Sequence, residues 1–375
     1  MRTADSLPAG DGRRYGRAMA ASRPPPPTRR WRRDVTAVAA VSAVLLLAAC
    51  SSGGSGQGAG PTVVTASSQP SGSPSLGGPD DVTAVGVGGA PVGLAYGFGS
   101  VWVAVTDTDD VVRLDTQGNI VGQVKVGQTP LRLVVVPRGV WVSEFRAGTI
   151  ALVDPATQAV TMRVTVGAQP EGMTTDGTHL WVVLQQDGRL AELDAATGES
   201  VRTVRLPTGG EPRLAAYAPA AAGRRATVWV SDYGADRVVP VDAATGKVGT
   251  PVAACAAPQA LTAAGSTLWV ACQDGWLVTV DLTTHASARA TDLRQMDGAP
   301  DAITVADGAV WTALSTGPVV LRVDPVTRKV TGQQQAGDDG PLTNADVDLV
   351  VAADQVWVSS FNGQAVHHIA LTDVS

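Results

Sequence analysis

The sequence is short of most residue types on which catalytic and nucleic-acid-binding chains depend. In 375 residues there are three cysteines, four histidines, three phenylalanines and four tyrosines. No cluster of His or Cys has a zinc-ligand spacing, which excludes a structural zinc site as the reading of these few residues. Basic residues are scarce wherever a fold is to be expected. Of 28 Lys and Arg and 34 Asp and Glu, nine arginines and three aspartates precede residue 50. The rest of the chain therefore holds 19 basic and 31 acidic groups, a net charge of −12. A domain so acidic is a poor holder of phosphates, so nucleic acid is not expected as a partner.

The early arginines have another use. "RRWRRDVTAVAAVSAVLLLAAC" has a basic n-region, an apolar stretch over 35–46 and then Leu47-Ala48-Ala49-Cys50. The stretch is too short to span a bilayer comfortably. Residues 1–49 read as a signal peptide, with "TRRW" a weak hint of twin-arginine export. Residues 50–80 are Gly, Ser and Pro with almost nothing to bury, a flexible tether reaching roughly 30 Å on average. The third segment, 81–375, carries the fold.

Tryptophan is what the chain has in excess: nine residues, seven of them in one phrase. "SVWVAV", "GVWVSE", "HLWVVL", "TVWVSD", "TLWVAC", "AVWTAL" and "QVWVSS" place Trp102, Trp141, Trp181, Trp229, Trp269, Trp311 and Trp357 at intervals of 39, 40, 48, 40, 42 and 46 residues. A proline precedes five of them by eleven residues, at 91, 130, 170, 258 and 300, and Pro212 leads by 17 because "PAAAGRR" intervenes. An Asp follows six of them, at 115, 154, 194, 242, 281 and 324, and opens turns such as "DPATQ" and "DAATG". Four short strands per unit of about 40 residues predict a β-propeller blade. Helical repeats are excluded because the apolar runs are short, Val-rich and cut by turn residues. The second strand lies between neighbouring blades on both faces, which makes a continuous "VWV" favourable and assigns the indoles to the core. The last repeat lacks its fourth strand, and "DVTAVG" at the start of the domain supplies one. The prediction is an all-β, seven-bladed propeller of four-stranded blades, closed by residues 82–87.

The pattern "P-x-x-L-x-x-x-x-G-x-V-W-V" followed by "V-D-x-x-T-G" resembles the YVTN and NHL repeat propellers and the virginiamycin B lyase-like group, over residues 81–375. "LAAC" is similar to the lipobox of bacterial lipoproteins, which implies cleavage before Cys50 and lipidation of its thiol. Anchorage by lipid on the outer face of the cell membrane follows from that resemblance. The lyase-like group implies a catalytic histidine on the funnel and Mg²⁺. Here His179, His285, His367 and His368 fall on strands or a hairpin turn, so that role does not carry over. "VDAATGKV" is also similar to quinoprotein dehydrogenase repeats, but their additional tryptophan is missing.

Loops entering each blade and loops leaving each "VWV" strand share one face. The rim they predict comprises Arg132, Glu144, Arg146, Glu171, Gln185, Arg213, Asp232, Tyr233, Gln259, Asp301 and Asn362. Cys255 and Cys272 point to that same face, and outside the cytoplasm a disulfide joining blades four and five is favoured over two buried thiols. "GDDGPLTNADVD", 337–348, reads as an ordinary polar loop; the other reading gathers Asp338, Asp339, Asp346 and Asp348 about Ca²⁺. The function expected is a non-enzymatic, monomeric binding module for an envelope protein, glycan or peptide, touching the membrane through its anchor alone. The alternative is a metal-dependent lyase or lactonase using Glu171, Asp301 or Glu144 as acid or base. No cofactor is expected for the first function; Mg²⁺ or Ca²⁺ belongs to the second.

Overall fold

In a computed structural model, residues 81–337 and 346–374 are described. The signal segment, Cys50, the tether, Asp338 and Asp339 lie outside the described residues. The local rule that builds each blade is visible in its turns. Asp154 Oδ1 accepts the backbone N–H groups of Ala156 and Thr157, both at 2.8 Å. Asp194, Asp242, Asp281 and Asp324 repeat this arrangement. Four residues beyond each Asp the chain takes a positive φ, at Gln158, Gly198, Gly246, His285 and Arg328. An Asp-closed turn followed by a left-handed residue reverses the chain into a tight hairpin. The recurrent Asp is thus the device that joins third and outer strands.

Seven antiparallel sheets of four strands result. The inner strands are Pro91–Gly97, Pro130–Val136, Pro170–Thr175, Pro212–Ala218, Pro258–Ala264, Pro300–Ala306 and Leu349–Ala352, numbered here as blades one to seven. The expected closure holds: Val82–Gly86 pairs with Ala365–Ala370 and becomes the outer strand of blade seven. The "VWV" strands are buried throughout, and all seven tryptophans are 0–4 % exposed. Their indoles pack between blades. Trp141 Nε1 donates to Ala195 O of blade three at 2.9 Å, and Trp102 and Trp311 donate to Gly97 O and Ala306 O. Three of the four histidines rest on these rings: His179 on Trp181, His285 edge-on to Trp229, and His368 stacked on Trp357. Their place beside the core tryptophans is structural.

Cys255 and Cys272 form the disulfide, joining the segment after the outer strand of blade four to the second strand of blade five.

Candidate functional site

Each entry proline starts an inner strand, and directly after it the strand leaves its ladder. Pairing jumps from Pro130 to Leu133, Pro170 to Met173, Pro212 to Ala215, Pro258 to Leu261 and Pro300 to Ala302. Such a bulge releases the residues within it and re-aims their side chains. Leu131, Glu171, Arg213, Gln259 and Asp301, the residues just past the prolines of blades two to six, thereby turn to the axis and form an inner ring. A second ring comes from the residue following each "VWV" strand: Phe145, Gln185, Tyr233, Gln273 and Ser315. Its backbone is pinned, because each of these N–H groups donates to the carbonyl of the residue before the entry proline, at 2.9–3.2 Å. Together with Thr129, Arg146, Glu211 and Asp346, the rings enclose a cavity of about 520 Å³. That volume lies in the range of small-ligand sites.

Blade seven departs from the pattern. In blades one to six the residue opposite the tryptophan lies four beyond the proline; in blade seven it is Val350. Asp346 therefore stands where the other blades have proline. The end of the loop read as polar thus brings Asp346 to the cavity wall, while residues 338–345 lie outside the described residues. Asp346 Oδ2 and Asp348 Oδ2 lie 3.5 Å from the guanidinium of Arg132.

Charges in the funnel are crowded. Arg213 donates through Nε and Nη2 to Glu211 Oε1 and through Nη1 to Gln259 Oε1, all at 3.0 Å. Its guanidinium lies 4.1 Å above the Tyr233 ring. Gln185 Nε2 also donates to Glu211 Oε1. Asp301 accepts from Gln273 Nε2 at 2.8 Å and from the Val347 N–H at 2.7 Å. Glu171 differs from these. It is 3 % exposed, lines the cavity, and its Oε2 has no hydrogen-bond partner. Burial first, and then the negative charge of Asp346, push Glu171 up to about 7, with Arg213 and Arg132 opposing. The same two causes push Asp301 up to about 7, against its Val347 hydrogen bond and the two arginines. For Arg132 burial works against the charge, but Asp348 and Asp346 outweigh it and raise its pKa.

The funnel thus brings together Arg146, Glu171, Gln185, Arg213, Tyr233, Gln259 and Asp301 of the expected rim. Four others are placed elsewhere. Arg132, 6 % exposed, borders a smaller cavity of about 120 Å³ with Asp348, because it follows the entry proline by two residues instead of one. Glu144 is fully buried and bound by Arg163 Nε and Nη2 at 2.9–3.2 Å, so it is unavailable as the acid or base of the alternative function. Asp232 is buried against Arg237 at 2.8 Å. Both are the last residues of second strands, one short of the ring, and side chains alternate along a strand. Asn362 is exposed on blade seven, two residues beyond its second strand and off the cavity wall. Gln273 and Ser315 went unrecognised in the sequence although they occupy the register of Gln185. Glu211 was hidden by the displaced Pro212, and Asp346, named only as a Ca²⁺ ligand of the other reading, was hidden from the ring by the missing proline.

Among solved structures, the chain resembles a streptogramin B lyase at 17 % identity and a TM-score of 0.64, covering 76 % of this chain and 96 % of that one. It resembles the hydrazine synthase of Kuenenia stuttgartiensis at 15 % identity and a TM-score of 0.64, covering 75 % and 95 %. A computationally designed protein, Ika8, matches at 14 % identity and a TM-score of 0.58, covering 76 % and 98 %. The shared property is the fold. No protein-family model and no curated protein matches the sequence. Identities this low, on a scaffold that hosts unrelated activities, transfer no function.

Proposed function

We propose that this chain is an exported, lipid-anchored binding propeller of the cell envelope, and that its ligand enters the funnel of blades two to seven without being chemically changed. The observation that carries this reading is Glu171 Oε2, a buried carboxylate oxygen without a partner on the wall of a cavity of about 520 Å³. A buried polar atom left unmatched is costly unless something else completes it. The walls are preorganised by the pinned loops, so little ordering remains to be done on binding. Residues 50–80 would give the propeller reach from a membrane anchored through Cys50.

A second reading, that of an enzyme, draws on one observation. Glu171 and Asp301 both titrate at about 7, where a carboxyl group can serve as general acid or base near neutral pH. The streptogramin B lyase shares the fold. Against it, none of the described histidines lines the cavity.

A thermal-shift screen of the purified protein against Mg²⁺, Ca²⁺, cell-wall fragments and envelope extract fractions tests the choice. A ligand at 100 times its dissociation constant adds about 2.7 kcal/mol, a rise of roughly 5–10 °C. Binding that survives with the ligand recovered intact, and that is lost in Glu171→Ala, is the expected result. A ligand recovered cleaved or rearranged, with the turnover lost in the same variant, would replace this reading with the enzymatic one.

A further inference from the structure

The charges that line the funnel say what kind of ligand completes it. Of the three arginines at the funnel, half-buried Arg213 is held by Glu211, buried Arg132 lies 3.5 Å from Asp346 and Asp348, and Arg146 stands exposed at the edge. Glu171 and Asp301 remain as excess acid. Both oxygens of Asp301 accept hydrogen bonds from within the protein. Among the described residues only Glu171 turns an unpartnered, buried oxygen to the cavity. A ligand that completes this site must donate a hydrogen bond and preferably carry positive charge, since a carboxylate is an acceptor alone and attracts a cation at close range. An anionic group on the axis would meet the four carboxylates of Glu171, Glu211, Asp301 and Asp346, with Arg146 only at the exposed edge.

A bare divalent ion fits less well. Among the described residues no three carboxylates bring oxygens within 4.8 Å of one another, whereas Ca²⁺ needs six to eight oxygens about 2.3–2.6 Å away. An organic cation needs one carboxylate, a polar wall and room, and the funnel has all three.

We propose that the funnel binds an organic cation with N–H donors, an ammonium or guanidinium group, and that Glu171 is the residue that receives it. This rests on the reading of the funnel as the binding site and adds the class of its ligand. Proton release accompanies binding. Burial and Asp346 hold Glu171 partly protonated at neutral pH while Arg132 and Arg213 oppose them, Glu211 adds to the negative side, and Asp301 responds to the same neighbours. A bound cation replaces the proton on Glu171, so affinity rises with pH.

The test is isothermal titration of the full-length protein with agmatine, which carries both cationic groups, at pH 6 and pH 8 in buffers of different ionisation heat. Pentane-1,5-diol and glutarate serve as neutral and anionic controls, and MgCl₂ as the metal. For one carboxyl group titrating near 7, agmatine should bind about tenfold more tightly at pH 8 than at pH 6, releasing close to one proton at pH 6 and about a tenth of one at pH 8. Glu171→Gln should weaken it at least tenfold and cut the pH dependence to the remainder that Asp301 contributes. Glu171→Asp, which keeps the charge, should retain the pH dependence at reduced affinity, and near-ultraviolet circular dichroism of both variants reports whether the funnel is folded. Equal affinity at the two pH values, diol or glutarate binding as tightly as agmatine, or Mg²⁺ displacing agmatine stoichiometrically would overturn the proposal. In those cases a titration that still depends on Glu171 leaves the funnel standing as a binding site for another class. If no probe binds at either pH, the cation is overturned, and the thermal-shift screen decides the funnel separately.

Discussion

Glu144 and Glu171 are buried glutamates of neighbouring blades on the same side of the ring, and they have opposite surroundings. Glu144 accepts two guanidinium nitrogens of Arg163, the Gly127 N–H at 2.6 Å and the Thr149 hydroxyl. Gly127 sits so close that a Cβ there would lie 2.6 Å from the carboxylate. Asp110 with Lys125, Glu192 with Arg202 and Asp232 with Arg237 are likewise ion-paired, each within its own blade, although one oxygen each of Asp110 and Asp232 is left without a hydrogen bond. On the axis, carboxylates from blades three, six and seven meet, and the shared arginines do not neutralise them. Within a blade, then, buried charge is answered by a strand neighbour and serves the fold. On the axis it is answered incompletely, and that remainder is available to a ligand.

The comparison can be broken most severely at Glu144. Its replacement by alanine removes the charge-assisted hydrogen bonds from half-exposed Arg163 and leaves the Gly127 N–H without its acceptor, a loss of about 3 kcal/mol. Urea unfolding should show that loss, whereas Glu171→Gln should lose none at pH 8. An equal loss in both variants would mean that the axial glutamate is a structural residue like the other.

Similar in size is the disulfide. Cys272 immediately precedes Gln273, the donor to Asp301, so the bridge flanks the axial cluster. The double substitution Cys255→Ser, Cys272→Ser reopens a loop with a sequence separation of 17 residues, worth about 3 kcal/mol in stability. Affinity for the funnel ligand should hardly change, because the Gln273 N–H stays bonded to Ala257 O. A large loss of affinity would show that the staple positions the site.

The third effect is a pH dependence. Glu171 has a pKa of about 7 in the folded protein against an ordinary 4.5, so its contribution to stability is complete below about pH 4.5 and is lost as pH rises through 7. The loss is on the order of 3 kcal/mol. Melting temperature should fall between pH 5 and pH 8, and Glu171→Gln should flatten the fall, leaving a residual slope from Asp301. The turn carboxylates do not blur this window. Backbone N–H groups hold Asp154, Asp194 and Asp324 below the usual range, so their contribution is lost only in acid. A melting temperature that rises from pH 5 to 8 would contradict the protonated axial glutamate.

The smallest effect is expected at those turns. Asp154→Asn keeps an oxygen to accept the Ala156 and Thr157 N–H groups, and differential scanning calorimetry should find the melting temperature almost unchanged.

How much of this was legible depends on where each partner sits in the chain. Gln185 and Tyr233 could be placed from register alone, since the end of a "VWV" strand determines which residue comes next to the axis, and the same rule would have found Gln273 and Ser315. Glu144 and Asp232 looked like rim residues because they are charged and end those strands. Their burial is decided by Arg163 and Arg237 on other strands of the same blade, contacts that no spacing reveals. Arg132 is further still from sequence reasoning, with partners 214 and 216 residues away at Asp346 and Asp348.

By itself the sequence determined the blade, its number, the buried tryptophans, the closing strand and the facing cysteines. These follow from turn chemistry, strand alternation and a repeated period, all of which act over tens of residues. Only the tertiary structure decided which carboxylates are satisfied and which are not. Closing the ring brings inner strands from distant parts of the chain onto one axis, where bulges after the prolines turn their side chains inward. The balance of charge at that axis is a property of the assembled ring, and no single repeat contains it.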